Sequence, residues 1–177
     1  MATATVSKWT PFGVALDLKV VSGTIIRTSA TQFTVALTVS WETTWEDAQT
    51  DYGMDVTAGS ATKTISTQGT KRGSGSGTIT GTYAISSNYL SAVTKSITVT
   101  FKNYNTWADK SATKNVTLDV NVPAWTSYKV TYNANGGSGA PSSQTKWKDI
   151  ALKLSTTKPT RSGYSFQGWA ATSTGGV

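Results

Sequence analysis

The sequence predicts an all-β protein, and three observations carry this. Apolar residues alternate with Thr, Ser and Lys through one long segment after another. Clusters of Gly, Ser and Pro separate those segments. Much of the polarity is uncharged: of 177 residues, 37% are hydrophobic and only 14% charged. That balance fits strands with threonine-lined outer faces better than helices with ionic surfaces. Seven Trp and seven Tyr supply large buried area for a core.

The elements follow in chain order. A short strand is expected near Thr5–Thr10. Val14, Leu16, Leu18 and Val20 then share one face, and Ile25–Arg27 form a short strand beyond the Ser22-Gly23 turn. Phe33, Val35, Leu37, Val39 and Trp41 make the most regular alternation. Short strands near Tyr52–Thr57 and Thr62–Thr67 flank Ala58-Gly59-Ser60. Ile79, Tyr83 and Ile85 share a face, as do Ile97, Val99 and Phe101, and then Val116, Leu118, Val120 and Val122. Period two is the mark of half-buried antiparallel strands. About seven to nine such strands with turn residues between them predict an immunoglobulin-like β-sandwich over residues 1–125. The stretch from Gly69 through Gly77 has a linker's composition and reads as a loop between two sandwich strands. Pro123 cannot donate to a ladder, so the sandwich ends there. A second module follows over 126–177, with Trp125 packing at the joint.

Residue types limit the chemistry. The chain has no cysteine and no histidine, which removes disulfides, thiolate nucleophiles, Cys-ligated zinc and the usual general base. The acidic stretch Glu42, Glu46, Asp47, Asp51 and Asp55 matches no calcium-loop spacing and reads as solvated loop charge. Its use as a glycosidase acid pair would need a fold that sets two carboxylates across a cleft. Gly136-Gly137-Ser138-Gly139 lacks the Lys-Ser/Thr pair and the helix of a phosphate cradle. Gly73-Ser74-Gly75-Ser76-Gly77 lacks the Gly-x-Ser-x-Gly spacing of a nucleophile elbow. No catalytic, cofactor-binding or metal-binding residue is therefore assigned. Trp9, Trp41 and Trp169 fall on core positions. Trp45, Tyr89, Trp107 and Trp147 sit beside polar residues in expected loops. They are the binding candidates, as surfaces for sugar rings or a partner's pocket, with core or joint packing as the competing reading.

Net charge is +7, unevenly placed. Residues 1–125 hold ten Lys/Arg against eight Asp/Glu, whereas 126–177 hold six Lys/Arg against Asp149 alone. The cations are scattered singly, which reads as a solvated face and not as a specific nucleic-acid site. If the charge has a target, a teichoic-acid-like cell-wall polymer or a lipid headgroup surface fits it as well as DNA does. No stretch approaches the about 18 apolar residues of a membrane span.

The second module resembles a known family. Tyr128-Lys129-Val130-Thr131-Tyr132, the turn Asn135-Gly136-Gly137, Pro141 with Gln144, and Pro159-Thr160-Arg161-Ser162-Gly163-Tyr164-Ser165-Phe166-Gln167-Gly168-Trp169 are similar to the Listeria–Bacteroides (internalin B-type) repeat. The resemblance implies a small β-grasp-like module used as an extracellular spacer or adhesion element, not an enzyme. Repeats of that family continue past the Gly-Trp-Ala segment to a closing strand. The expectation is that either the natural gene runs past Val177 or a neighbouring chain completes an open edge.

The first 125 residues resemble uncharacterised siphovirus and prophage structural proteins of Gram-positive hosts. The residues concerned are Ser7-Lys8-Trp9-Thr10-Pro11-Phe12-Gly13-Val14, Ser74-Gly75-Ser76-Gly77-Thr78 with Gly81-Thr82-Tyr83, and Ser111-Ala112-Thr113-Lys114. Met1 to Trp9 lacks the basic start and the about 7–15 apolar residues of a secretory leader. A cysteine-free chain made in a reducing cytosol and released by lysis fits that setting. The expectation is a non-enzymatic bacteriophage virion protein for attachment or display, at a tail tip, baseplate, fibre or capsid surface. Its partners would be other virion proteins and a host glycan or anionic polymer, met as a homo-oligomer or symmetric array. The alternatives are a fragment of a bacterial cell-surface adhesin and, from another class, a carboxylate-dependent glycan hydrolase.

Overall fold

The computed structural model describes all residues except 14, 44–52, 67–72, 106–108 and 172–177. The protein is all-β and divides into two compact units, Met1–Trp125 and Thr126–Val177.

The first unit is a β-sandwich of two four-stranded antiparallel sheets. Its strands are β1 (Thr3–Trp9), β2 (Leu16–Arg27), β3 (Gln32–Thr43), β4 (Gly53–Ala58), β5 (Ala61–Ser66), β6 (Ser74–Ala84), β7 (Val93–Asn105) and β8 (Lys110–Val122). One sheet runs β1-β2-β3-β6 and the other β5-β4-β7-β8. The layers are those of an immunoglobulin-like sandwich, but the wiring is its own. In a constant-type immunoglobulin domain the third strand crosses to the second sheet. Here β3 stays beside β2, because the connection over 28–31 is a tight hairpin. The Thr28 and Ser29 N–H groups both donate to the Gln32 carbonyl, at 3.1 and 3.2 Å. Arg27 clamps the same loop from its side chain, with Nε on Ser29 O at 3.2 Å and Nη2 on Ala30 O at 2.7 Å.

The alternating residues fill the space between the sheets. Leu16, Leu18, Val20, Phe33, Val35, Leu37, Val39 and Trp41 face Met54, Val56, Ile97, Val99, Phe101, Val116, Leu118, Val120 and Val122. Complete removal of each large side chain from water favours folding by about 1.5–3 kcal/mol. Outward positions carry hydroxyls and amides that bond across strands, such as Thr94 Oγ1 to Asn121 Oδ1 and Thr100 Oγ1 to Asn115 Oδ1, both at 2.8 Å.

Two segments differ from the reading of the sequence. Ile25–Arg27 is not a separate strand. Ser22-Gly23 forms a bulge inside β2, where the register with β3 shifts between Ser22 and Ile25. Buried Ser22 is held there by reciprocal bonds with Ala2: its N–H donates to Ala2 O at 2.8 Å, and its Oγ accepts from Ala2 N–H at 2.7 Å. Likewise Ser74 through Gly77 are not loop. They pair with Val39 through Glu42 as the first part of β6. Their glycines answer a packing need, not flexibility. A Cβ on Gly75 would lie 2.4 Å from Trp41 Nε1, and one on Gly77 2.9 Å from Ile65 Cγ2.

The inner side of β6 also meets the β4–β5 turn. Gly59 forms a parallel bridge with Thr82, and Lys63 Nζ donates to Thr78 O at 2.9 Å, so the two sheets are tied along this side. A Cβ on Gly81 would sit 2.9 Å from Ala58 O.

The second unit contains β9 (Ser127–Val130) paired antiparallel with β10 (Gln144–Trp147). Of the β-grasp-like sheet implied by resemblance, the described residues form this pair and the isolated bridges Ser138–Thr160 and Arg161–Tyr164. No helix among the described residues is long and apolar enough to cross a membrane.

Two predictions follow from this packing. At Gly59, φ is +55° and an added Cβ would lie 2.1 Å from the Thr82 carbonyl oxygen; at Gly13, φ is +86° with open space around it. Gly59→Ala should therefore destabilise the chain by about 1–3 kcal/mol more than Gly13→Ala in urea unfolding. Equal losses would mean that backbone conformation, not close approach, sets the cost.

Tyr83 stacks on Phe33 at 5.6 Å between ring centroids. Burial pushes its hydroxyl from the ordinary 10.0 up to about 12. The folded chain keeps a proton that the unfolded chain has lost, so this contribution to stability is complete below pH 10.0 and is lost as pH rises through about 12. Across that window the unfolding midpoint of the native sequence should fall more steeply than that of Tyr83→Phe. Parallel curves would show that the hydroxyl titrates as it does in water.

Candidate functional site

The described residues of the second unit line an open groove of about 470 Å³, built by two turns that meet side by side. The first turn is Asn133-Ala134-Asn135-Gly136-Gly137. Asn135 adopts φ 49° and Gly136 φ 80°. Asn tolerates the left-handed region because its short side chain bonds locally. Here Asn133 Oδ1 accepts from the Asn135 N–H at 2.8 Å, and Gly137 N–H closes the turn on Ala134 O at 3.0 Å.

Gly137 then lets the second segment approach. A Cβ there would lie 2.3 Å from Thr160 O. Its absence allows the reciprocal Ser138–Thr160 bonds, at 2.8 and 2.9 Å. The second turn runs from Arg161 to Tyr164, whose N–H donates to Arg161 O at 3.1 Å.

Arg161 is held by both turns. Its Nη1 donates to Asn135 O at 2.9 Å, and its guanidinium carbon lies 4.2 Å from the Tyr164 ring centroid. Three guanidinium atoms would be 3.7–4.0 Å from a Cβ on Gly136, so the flat group also lies beside that glycine. Tyr164 is 68% exposed. The far wall contains Gln167 and Trp169.

Trp169 is fixed from behind. Its ring packs on Tyr132 at 4.7 Å and Phe166 at 5.0 Å, and its Nε1 donates to Ser155 O at 3.0 Å. The Tyr132 hydroxyl donates to Gln144 Oε1 and accepts from the Ser155 N–H at 2.9 Å. The same Ser155 N–H reaches Gln144 Oε1 at 3.1 Å. The groove thus combines one cation, the exposed Tyr164 ring, the half-buried Phe166 and Trp169 rings and uncharged amides, a set suited to binding.

Of the four binding candidates from the sequence, Trp45 and Trp107 lie outside the described residues. Tyr89 is 46% exposed in the first unit, with Lys95 Nζ 5.1 Å from its ring centroid. Trp147 is half-buried at the end of β10, opposite Ser127, and does not line the groove. Tyr89 and Trp147 belong to different units. Among the core assignments, Trp41 is buried and Trp9 and Trp169 are partly buried. Trp125, which the sequence placed at the joint, is buried, and its backbone N–H donates to Leu90 O at 2.8 Å. Of the acidic stretch, Glu46, Asp47 and Asp51 lie outside the described residues. Glu42 is exposed, and Asp55 accepts from Thr64 Oγ1 at 2.6 Å. Among the described residues no three His, Cys, Asp or Glu gather in a metal-holding group.

Reading for loops beside aromatics missed Arg161 and Tyr164. Their signal was the Arg161-Ser162-Gly163-Tyr164 turn itself, where Gly163 takes φ 77° and brings the two side chains together.

Residues 128–177 match the family model of the Listeria-Bacteroides repeat domain. No curated protein matches the chain. No solved structure matches it either. The likeness of residues 1–125 to phage structural proteins draws no support from these comparisons.

Tyr132→Phe removes the hydroxyl at the centre of the supporting network. It should destabilise the second unit by about 1 kcal/mol and speed exchange of the Ser155 amide proton, measured by NMR. Unchanged exchange at Ser155 would place the support of Trp169 elsewhere.

Proposed function

We propose that the chain is a non-enzymatic structural protein for attachment or display on a bacteriophage virion, at a tail tip, baseplate, fibre or capsid surface. There it contacts other virion proteins and a host surface glycan or anionic polymer, as a homo-oligomer or within a symmetric array. The observation that carries the attachment or display part of the reading is the match of residues 128–177 to the Listeria-Bacteroides repeat domain, a module found in surface proteins; the virion setting rests on the resemblance of residues 1–125 alone. Each contact is weak, and strength comes from many copies acting together. The cysteine-free composition supports assembly in a reducing cytosol.

The same match supports a second reading, a segment of a bacterial surface adhesin. A glycan hydrolase is disfavoured on chemical grounds. The chain has no histidine, and several described carboxylates are engaged in structural bonds: Asp17 to the Lys8 N–H at 2.7 Å, Asp55 to Thr64, and Asp119 to Ser96.

Antibody labelling of purified particles and of intact producing cells separates the readings. Regular labelling at one structural position of the particle, at a fixed copy number, is the expected result. Labelling of the cell envelope alone would favour the adhesin, and labelling of neither would remove both. Purified protein incubated with host cell-wall glycan should release no product above a protein-free control.

A further inference from the structure

We propose that the groove beside Arg161 binds a phosphodiester-linked glycopolymer, a chain of sugar or polyol units joined by phosphates. The inference rests on the attachment reading and names the ligand chemistry and its site.

Three features of the groove fit this ligand together. The first is a prepared oxyanion partner. Arg161 carries five N–H donors in a rigid plane. One is committed to the Asn135 carbonyl at 2.9 Å, which fixes the plane over Tyr164. Asp149 is the only Asp or Glu within residues 126–177, so the unit carries no balancing set of carboxylates. A guanidinium already held by one bond and an aromatic ring loses little further freedom when it takes an oxyanion, and charge-assisted bonds to phosphate are about twice as strong as neutral ones.

The second is an apolar surface beside the charge. Tyr164 is 68% exposed, and Trp169 is locked in place at the groove wall. Aromatic faces of this kind take the C–H face of a sugar or polyol. The third is the uncharged remainder: the Gln167 amide and the Asn133 side-chain NH2 offer hydrogen-bonding groups for hydroxyls. A purely anionic ligand would leave the aromatics unused, and a neutral glycan would leave Arg161 unused. A polymer alternating hydroxylated units with phosphates uses both. Five further cations (Lys129, Lys146, Lys148, Lys153 and Lys158) supply a favourable field for a chain that extends beyond the groove.

The test is a titration of the 177-residue chain with a defined glycerol-phosphate oligomer, followed by tryptophan fluorescence and calorimetry at low and moderate salt. Saturable binding that weakens as salt rises is expected. Arg161→Gln and Gln167→Glu should each weaken it about tenfold. Lys153→Gln, with the same change in net charge at a residue that does not line the groove, should weaken it by less than about threefold. Gln167 is exposed, so its substitution leaves the fold intact even if Arg161→Gln does not. Equal weakening by all three variants would reduce the effect to net charge and overturn the site. So would equal affinity for single-stranded oligothymidylate or polyglutamate, or no binding at all. A chain found on particles that fails this titration removes the groove proposal alone. A chain that binds the oligomer but is absent from particles and cells removes the attachment reading alone.

Discussion

The glycine positions on the inner side of β6 are the constraint on which the sandwich depends. Gly75, Gly77 and Gly81 occupy three inward positions of that strand, and each lies where a Cβ would collide with a neighbour. Trp41 lies over the first and Ile65 against the second, while the Ala58 backbone approaches the third. Side chains at Gly77 and Gly81 would hold the β4–β5 hairpin away from β6, and one at Gly75 would displace Trp41. The Gly59–Thr82 bridge would then be lost, along with the closure of the core around Val56 and Ala58. Close approach has its own cost. Trp41 Nε1 is buried without a hydrogen-bond partner, as is Arg27 Nη1. An unpaired buried donor costs about 1–3 kcal/mol, which the dense packing around it must offset.

The sandwich was legible because burial imposes period two on sequence, and Phe33 through Trp41 or Val116 through Val122 have no other economical reading. What stayed hidden follows from the same physics. Glycine has no side chain to show which way it faces, so Ser74–Gly77 carried no alternation and looked like a loop. Ser22-Gly23 looked like a turn because a bulge and a turn use the same residues. The third strand's sheet depends on a hairpin held by backbone groups and an Arg27 clamp, and composition encodes neither. For the candidate site, the turn residues were visible, but the meeting of Asn135 with Arg161 is a long-range event. It depends on Gly137 admitting Thr160, and local pattern does not report that.

In the second unit, side-chain polar bonds do much of what ladders do in the first. Tyr132, Gln144, Ser155 and Trp169 come from four separate segments, and their mutual bonds fix the aromatic wall of the groove. Such a network holds its members in a single geometry only when each is satisfied. The tight Asn135 and Arg161 turns sit on top of that support. The groove is therefore positioned by half-buried parts, while its exposed parts remain available for contact.

The placement of β6 also has a kinetic consequence. β2–β3, β4–β5 and β7–β8 are hairpins whose strands are sequence neighbours, and each can form early. β6 has no such neighbour: it pairs with β3, across the whole β4–β5 excursion, and its glycines give it little apolar area with which to nucleate. Its docking surface is complete only when the β4–β5 turn and β3 are both in place. Until then the open edge of β3, from Phe33 to Trp41, is the stickiest surface of the nascent chain. Non-local β-topologies of this kind fold on the order of milliseconds to seconds. Through that interval the unpaired edge of β3 is open to pairing with the same edge of a second chain.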